Sequence, residues 1–391
     1  MMKISKLIGA LGVTALLTGP AFAQDAVKVG LIIPSTGPFA STGRQLANAA
    51  KLYMQEHGDK AGGKKIELII RDDTGVADVT KRIAQELIVS EKVNFLAGFG
   101  LTPLAFAVAP LATEAKTPMV VMVAGTSSVT EASQYIVRTS WTVPQYSGPM
   151  ADWAFKNGIK SVMTIVTDFG PGHDAEGAFG GRFKELGGKV DSLRVPLRNP
   201  DFSPFLQRAA DAKPDAIFVF VPSGPGAQFM KQFKERGLDK SGIKLIGTGD
   251  LTDDDLLNDM GDVALGVVTA QHYSADHKSP ANEKFVAGMK KIGDGKRPNF
   301  IAVAAYDGMH VIYEALNKTK GSTDGTALVE AMKGMKWESP RGPISIDPET
   351  RDIIQNVYIR KVEKVNGELY NVEFDTIKDV KDPVKAAKAK K

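Results

Sequence analysis

The chain has 391 residues, of which 43% are hydrophobic and 24% are charged, and its formal net charge is +4. It contains no cysteine, which excludes disulfides and thiolate metal sites. This length allows two domains with a core each. The nearly balanced charge argues neither for nor against any class of partner.

The N-terminal segment has the order of a secretory signal peptide. Lys3 and Lys6 precede an apolar run at 7–17, and the small-residue run AFA follows at 21–23. The apolar run is too short to span a bilayer. We therefore expect cleavage after Ala23 and a periplasmic protein that does not insert into the membrane. Because no cysteine follows the run, we expect no lipid anchor.

From residue 27 onward, short apolar runs alternate with longer amphipathic runs. We predict strands and helices in turn: strand 27–33, helix 45–57, strand 66–70, a helix that Asp78 caps, and strands 95–97 and 119–123. This order is typical of a parallel sheet with helices on both faces.

After the segment RTSWTVPQYSGP the same alternation begins again. We predict strands at 161–167, 190–195, 216–221, 244–247 and 266–270, and helices at 175–186, 205–212, 228–236 and 254–260. The remainder departs from this alternation. It contains helices at 282–292, 301–317 and 326–333, and then antiparallel strands at 343–346, 357–362 and 369–374, with a hairpin turn at Asn366-Gly367.

The late helices have no strands of their own to cover. We therefore expect them to return to the first domain and the final strands to return to the second. The expected fold class is α/β, with two doubly wound parallel-sheet lobes joined by three hinge crossings. The bounds are 24–142 and 275–340 for the first lobe and 143–274 and 341–375 for the second. Residues 376–391 are basic but contain no aromatic residue, so we expect a solvated tail that binds no nucleic acid.

Signals of catalysis are sparse. The sequence has neither the H-E-x-x-H spacing of a zinc protease nor a G-x-S-x-G elbow. The run Asp253-Asp254-Asp255 precedes an apolar pair, and we interpret it as the acidic start of a helix rather than as a metal cluster.

The stretch DFGPGHDA is similar to a dinucleotide-binding fingerprint, because Gly170, Gly172 and Ala175 fit G-x-G-x-x-A. Two residues, Asp168 and Phe169, separate the strand from the first glycine, and an exported protein seldom meets NAD. We therefore expect no dinucleotide and no other cofactor.

Six strand-to-helix turns are rich in small and hydroxylated residues: PSTGPFASTG, GFGLTPLA, VAGTSS, TDFGPGHD, VPSGPG and GTGDLTDD. In doubly wound sheets, ligands bind beyond the carboxyl ends of the strands, where these turns lie. The hydroxyls of Thr42, Thr102 and Thr126, together with free N–H groups at helix N-termini, suit a small carboxylate. No G-K-[ST] follows the glycines of the first turn, so a phosphate is disfavoured.

By the order and spacing of several segments, the chain resembles the periplasmic substrate-binding proteins of branched-chain amino acid ABC importers. These segments are VKVGLIIPSTGPFASTGRQLANAAKL, GFGLTPLAFAVAPLATEAKTPMVVMVAGTS, TDFGPGHDAEGAF, SPANEKFVAGMKK and AVAAYDGMHVIYEAL. The resemblance covers nearly the whole mature chain. It implies a type I periplasmic binding fold and a monomer whose lobes close on a ligand. It also implies docking of the closed form on an inner-membrane ABC permease.

The resemblance assigns the ligand carboxylate to the first lobe. The serine of the family's third turn corresponds to Thr102, which follows Leu101. The family's clamp of backbone and threonine corresponds to Ala124 and Thr126, and the aromatic residue of its first turn corresponds to Thr42.

In the second lobe, the family's two tyrosines correspond to Phe169 or Pro171 and to Pro222. Its acidic group, which holds the α-ammonium of an amino acid, falls on Gly249 or Asp250, and Asp250 is our candidate. That position is ambiguous by one residue.

The sequence leaves two ligand classes open, because Thr42 and Pro222 occupy positions where the family has aromatic residues. A leucine-like amino acid and an aromatic acid such as a hydroxybenzoate are both compatible with the site. Phe169, Tyr273 and Phe39 are candidates for its apolar wall. Two other classes of function are a ligand sensor on the same fold and a secreted hydrolase, and the lack of a nucleophile with a neighbouring base disfavours the hydrolase.

Overall fold

The structure is a computed structural model that describes residues 26–389, so the expected signal peptide lies outside the described residues. The chain builds two α/β lobes, each on one sheet. Within 26–389, no helix is both long enough and apolar enough to cross a membrane.

The first sheet is parallel except at one edge, and its strand order is β2-β3-β1-β4-β5-β6. Its elements are β1 (Val27–Ile33), α1 (Ala40–His57), β2 (Lys60–Ala61), β3 (Lys64–Asp72), α2 (Ala77–Val89), β4 (Phe95–Gly98), α3 (Thr102–Glu114), β5 (Met119–Val121) and β6 (Ile136–Arg138). The apolar strand β1 lies in the middle, between β3 and β4, which explains why it is almost wholly buried.

The second sheet begins with five parallel strands in the order β8-β7-β9-β10-β11. Its elements are α4 (Pro144–Lys156), β7 (Ser161–Thr167), α5 (Gly170–Glu185), β8 (Lys189–Val195), α6 (Ser203–Ala212), β9 (Ala216–Phe220), α7 (Gly226–Glu235), β10 (Lys244–Thr248), α8 (Leu257–Met260) and β11 (Val268–Gln271).

The chain then returns to the first lobe through α9 (Pro280–Ile292), α10 (Phe300–Lys318) and α11 (Gly325–Met332). Both α9 and α10 pack on α1, and α11 lies against β6. The hydroxyl of Tyr313 donates to the carbonyl oxygen of Gly58 at 2.7 Å, which fixes α10 to the end of α1. The late helices therefore lie against elements of the first lobe.

The last strands complete the second sheet as antiparallel neighbours of β11. They are β12 (Lys336–Ser339), β13 (Gly342–Ile346), β14 (Ile353–Val365) and β15 (Glu368–Val380), and α12 (Pro383–Lys388) follows. Asn366 and Gly367 turn the last hairpin with φ angles of 52° and 89°, the positive values that a type I′ turn requires. The chain enters this sheet at Lys336 and leaves it at Val380, so the bounds of 341 and 375 were too narrow.

Several predicted boundaries need correction. Two helices, α3 and α4, and the short strand β6 were missed, because both helices contain prolines and α3 is apolar on most faces. Asp78 does not cap α2, since Val76 is the N-cap and Asp78 lies in the first turn. Helix α5 begins at Gly170 rather than at 175, because Pro171 and the flanking glycines fit its first turn.

The expectation of a solvated C-terminal tail was wrong. Residues up to Val380 belong to β15, and α12 follows with Lys385 only 7% exposed. Its Nζ lies 2.5 Å from Oδ2 of Asp352, a carboxylate that is itself buried.

Candidate functional site

The turns that follow the parallel strands of the two sheets line a narrow cavity between the lobes. Its lining is Gly100, Leu101, Thr102, Val123, Ala124, Gly125, Trp141, Val143, Phe169, Pro171, Phe220, Pro222 and Asp250. Both lobes contribute, and every contributing turn lies at the carboxyl end of a strand or at the crossing after β6, as expected for this sheet topology.

One end of the cavity lies at the N-termini of two helices. Thr102 is the first residue of α3, and Gly170 is the first residue of α5 in the other lobe. The N–H of Thr126 donates to Oγ1 of Thr102 over a long 3.4 Å. Oγ1 of Thr126 is buried and has no hydrogen-bond partner within residues 26–389. Free N–H groups, hydroxyls and the positive ends of helix dipoles together make this end fit for a carboxylate.

Gly170 allows the two lobes to meet at that end. A Cβ atom at this position would lie 2.7 Å from Oγ1 of Thr126 and 3.5 Å from Cγ2 of Thr102. Gly172, the other glycine of the fingerprint, has a different role. A Cβ there would lie 1.7 Å from the carbonyl oxygen of Thr167, so its hydrogen permits the tight turn from β7 into α5. The glycines of DFGPGHDA are thus explained by close packing.

The other end of the cavity carries the buried carboxylate of Asp250. Burial raises its pKa to about 6, and hydrogen bonds and the nearby Arg360 only partly offset that effect. Nε2 of Gln271 donates to its Oδ2 at 3.3 Å. A Cβ on Gly249 would lie 2.0 Å from Nη2 of Arg360, so Gly249 is packed against the guanidinium and Asp250 alone of the pair lines the cavity.

The walls between these ends are aromatic and apolar. The rings of Phe169 and Phe220 lie with centroids 6.1 Å apart and planes 29° apart. Trp141 stacks on the buried His272 at 5.1 Å, which fixes the indole at the crossing between the lobes. Such walls favour a flat, apolar body in the ligand.

The structure brings most of the predicted binding residues to this cavity: Leu101, Thr102, Ala124, Phe169, Pro222 and Asp250. Thr126 lies beside the lining, next to Thr102 and Gly170. Their roles in binding remain predictions.

Three predicted contacts lie elsewhere. Thr42 is buried in α1 behind Gly100, where a Cβ would be 3.5 Å from its methyl carbon. Tyr273 is a core residue, since its hydroxyl donates to Oδ1 of Asn282 at 2.8 Å and its ring packs on Phe285. Phe39 is also wrong as a wall residue, because it packs in a small core cluster with Leu101 and Leu104.

Sequence reasoning missed the lining residues Trp141 and Phe220. Phe220 ends a strand that was predicted, so its place at the carboxyl end was a usable signal. Trp141 lies in the segment RTSWTVPQYSGP, which we noted only as the boundary between the lobes. Trp141 lines the cavity because the chain crosses between the lobes there. The position of this crossing beside the cavity follows only from the tertiary arrangement.

The run Asp253-Asp254-Asp255 does not start a helix, because α8 begins at Leu257. Among the described residues no group of side chains is suited to hold a metal ion. Asp253 instead accepts two 2.9 Å hydrogen bonds from Nδ2 of Asn299, the N-cap of α10.

Asp255 accepts hydrogen bonds from Ser41 and Arg44 of α1. Asn299 caps α10, and Ser41 and Arg44 lie in α1; both helices belong to the first lobe, whereas the acidic run follows β10 of the second. The run therefore joins the two lobes beside the cavity.

Comparisons with known proteins agree with this architecture. Residues 26–368 match the family model for periplasmic binding proteins. The Leu/Ile/Val-binding protein homolog 6 of Brucella abortus (strain 2308) is 47% identical over 388 residues, 98% of this chain and 99% of that protein.

Solved structures are similar over almost the same span. The solute-binding protein of an ABC transporter from Rhodopseudomonas palustris BisB5, in complex with 3,4-dihydroxybenzoic acid, is 64% identical, with a TM-score of 0.91 over 92% of this chain and 99% of that chain. One from Rhodopseudomonas palustris HaA2, in complex with p-hydroxybenzoic acid, is 45% identical, with a TM-score of 0.90 over 93% of this chain and 100% of that chain. The chain therefore belongs to the periplasmic binding protein family, in its branched-chain amino acid type, and is a solute-binding protein of the ABC transporter kind.

Proposed function

We propose that this protein captures a hydroxylated aromatic carboxylate, of the hydroxybenzoate class, in the periplasm and delivers it to the permease of an ABC importer. The observation that carries the proposal is the cavity itself. It joins aromatic walls to a carboxylate-binding end and places one buried acceptor, Asp250, in its lining. Two relatives were solved with ligands of this class.

The carboxylate end suits an anion that keeps its charge without a cationic partner. Asp250 is the one charged side chain in the described lining. Thr102, Thr126 and the start of α5 supply neutral donors and helix N-termini instead. Charge-assisted hydrogen bonds from such donors are stronger than neutral ones, which compensates for desolvation of the carboxylate.

The walls of the cavity suit one aromatic ring. Phe169, Phe220 and Trp141 offer stacking and edge contacts to a benzene ring, whereas a branched aliphatic chain would gain only from the apolar area that it buries.

The ring hydroxyl would donate to Asp250. A phenol needs an acceptor, and the side chain of Gln271 donates to the Asp250 carboxylate only at a long 3.3 Å. An amino acid would instead place its ammonium against Asp250. The leucine-like ligand is therefore the competing outcome of the experiment below.

The mechanism is closure of the lobes without bond chemistry. Lobe bounds near 24–142 with 275–335, and 143–274 with 336–380, give three crossings that act as hinges. The ligand touches Thr102 in one lobe and Asp250 in the other, so it stabilises the closed state by its differential affinity for the two states. The contacts of Asp255 with α1 and of Asp253 with the N-cap of α10 join the two lobes. A monomer with a cleaved signal peptide at 1–23 completes the proposal.

A ligand screen tests the proposed class. The mature protein is first denatured to release bound ligand and then refolded. Its melting temperature is measured with one set of ligands, 4-hydroxybenzoate, 3,4-dihydroxybenzoate and benzoate, and with a second set, leucine, isoleucine and valine. A ligand at 100 times its Kd adds about 2.7 kcal/mol to the free energy of unfolding. We expect the hydroxybenzoates to raise the melting temperature. A rise only with the amino acids would refute the aromatic class.

Thr126→Ala tests the carboxylate end. The hydroxyl is buried without a hydrogen-bond partner among residues 26–389, and we expect its loss to weaken binding of 4-hydroxybenzoate by about 1–3 kcal/mol, because a charged acceptor loses a donor. Isothermal titration calorimetry measures the change, and Thr126→Ser, which keeps the hydroxyl, serves as the control. Equal affinity of Thr126→Ala and the unmodified protein would remove Thr126 from the site.

A further inference from the structure

The loop 124–127 borders the carboxylate end, and its carbonyl oxygens accept hydrogen bonds from one buried arginine, Arg138. Nη1 of Arg138 donates to the carbonyl oxygens of Trp141 at 2.8 Å and Ala124 at 3.2 Å, and its Nη2 donates to that of Thr126 at 2.8 Å. In a trans peptide the C=O and the next N–H point in opposite directions. With the carbonyl of Ala124 turned to Arg138, the N–H of Gly125, a lining residue, is turned away from Arg138.

Arg138 is in turn held by Asp352 and Lys385. Nε of Arg138 lies 3.0 Å from Oδ1 of Asp352, and Nζ of Lys385 lies 2.5 Å from Oδ2 of the same carboxylate. Lys385 also donates to Oγ1 of Thr130, just beyond the loop. The side chains of Arg138 and Asp352 are 0% and 1% exposed, so one buried carboxylate balances two cations.

The C-terminal helix contacts the loop directly as well. Asp382 accepts a hydrogen bond from the hydroxyl of Ser127, the last residue of the loop. Its other oxygen caps α12 by accepting from the N–H groups of Val384 at 2.8 Å and Lys385 at 3.1 Å. Asp382, the N-cap of α12, and Lys385, its buried lysine, therefore contact the end of the loop and the residues just beyond it.

This arrangement is unusual for so short a helix. Lysine is almost never fully buried unless it is paired, and α12 has only six residues and little core of its own. The strand before it, β15, belongs to the second sheet, whereas Ser127 and Thr130 belong to the first lobe. The segment 382–388 thus ties the second lobe to the loop that borders the ligand.

We infer that the C-terminal segment 382–388 is a positioning element for the ligand carboxylate, with Asp382 and Lys385 as its positioning residues. Neither residue lines the cavity. They act through Ser127, Asp352 and Arg138 to keep the donors of the loop aimed at the ligand. This inference rests on the proposed function, because it requires a carboxylate at the loop.

The test compares a carboxylate with its amide. Affinities of the full mature chain for 4-hydroxybenzoate and 4-hydroxybenzamide are measured by calorimetry, together with the melting temperature of the ligand-free protein. In Lys385→Met and in Asp382→Ala we expect the preference for the carboxylate over the amide to fall by about tenfold. Lys385→Arg, which keeps the charge, should restore most of that preference.

Lys388→Met is the matched control. Lys388 lies on the same helix, but its side chain is 61% exposed and pairs with Glu131 at 3.0 Å on the surface. We expect its carboxylate preference to equal that of the unmodified protein. A lower melting temperature with an unchanged preference in both Lys385→Met and Asp382→Ala would make α12 merely structural and would overturn the inference.

Failure of the proposed function gives a different result. If the unmodified protein binds leucine and not the hydroxybenzoates, the same variants are compared with leucine and leucinamide, and the expected loss of carboxylate preference is the same. If the unmodified protein prefers neither carboxylate over its amide, the loop does not hold a carboxylate and the inference falls.

Discussion

Replacing Gly170 by alanine is expected to weaken ligand binding by about tenfold or more while leaving the ligand-free fold intact. The added Cβ would lie 2.7 Å from Oγ1 of Thr126, closer than such atoms approach without a shift. Gly170 is in the second lobe and Thr126 is in the first, so the clash arises on closure. Rotation of the threonine to relieve it would turn the hydroxyl out of the carboxylate end, and either response lowers affinity.

Gly177→Ala is the control on the same helix. A Cβ at Gly177 has no heavy atom within 4 Å, and alanine stabilises a helix interior by about 0.5–1 kcal/mol relative to glycine. We expect Gly177→Ala to raise the melting temperature slightly and to leave affinity unchanged. Calorimetry and thermal unfolding of both variants decide the matter. Unchanged affinity in Gly170→Ala would mean that the lobes do not meet at Thr126 in the bound state.

Asp250→Asn is expected to remove a dependence of stability on pH. The pKa of Asp250 is about 6 in the folded protein and near 3.9 in an unfolded chain. Between these values the folded state keeps the proton that the unfolded state has lost. The free energy of unfolding therefore falls as pH rises from about 4 to about 6, by on the order of 3 kcal/mol for two units of pKa.

The measurement is urea unfolding of the ligand-free protein and of Asp250→Asn at several pH values from 4 to 7. Every other carboxylate is shared by the two proteins, so the difference between their curves reports Asp250. We expect Asp250→Asn to gain stability relative to the unmodified protein as pH rises through this window. Parallel curves would show that Asp250 does not titrate as its burial requires.

The same variant separates the two ligand classes. Asparagine still accepts a hydrogen bond from a phenol, so binding of 4-hydroxybenzoate should weaken by about tenfold at most. An amino acid would lose the partner of a buried ammonium, which costs about 3–5 kcal/mol. Calorimetry with each ligand gives the answer, and a loss above 3 kcal/mol for the hydroxybenzoate would contradict a neutral hydroxyl at Asp250.

Much of the fold could be predicted because its signals are local. The strands at 27–33 and 161–167 were correct to the residue, since each is a short, mainly apolar run rich in β-branched residues. The hairpin at Asn366-Gly367 was correct because both residues tolerate positive φ. Helix α3 failed for the opposite reason, since it is apolar on most faces and lacks a helical period.

Part of the candidate site could also be predicted from the sequence. Thr102, Phe169 and Asp250 follow the ends of strands, where the topology requires a ligand to lie, and all three line the cavity. Thr42, proposed by correspondence with the family, and Tyr273, proposed as an apolar wall residue, lie outside the lining because sequence does not show which way a side chain points. Their burial in packed elements decided that.

The sequence by itself determined the two α/β lobes, the return of the late helices and the turns that carry the site, because hydrophobic period and turn chemistry act over short distances. Only the tertiary structure decided that Gly170 meets Thr126, that Asp255 bonds to α1 and that Lys385 is buried beside Asp352. These contacts join residues far apart in the chain. Burial and charge pairing in the folded state select them, and a pattern of neighbouring residues does not encode them.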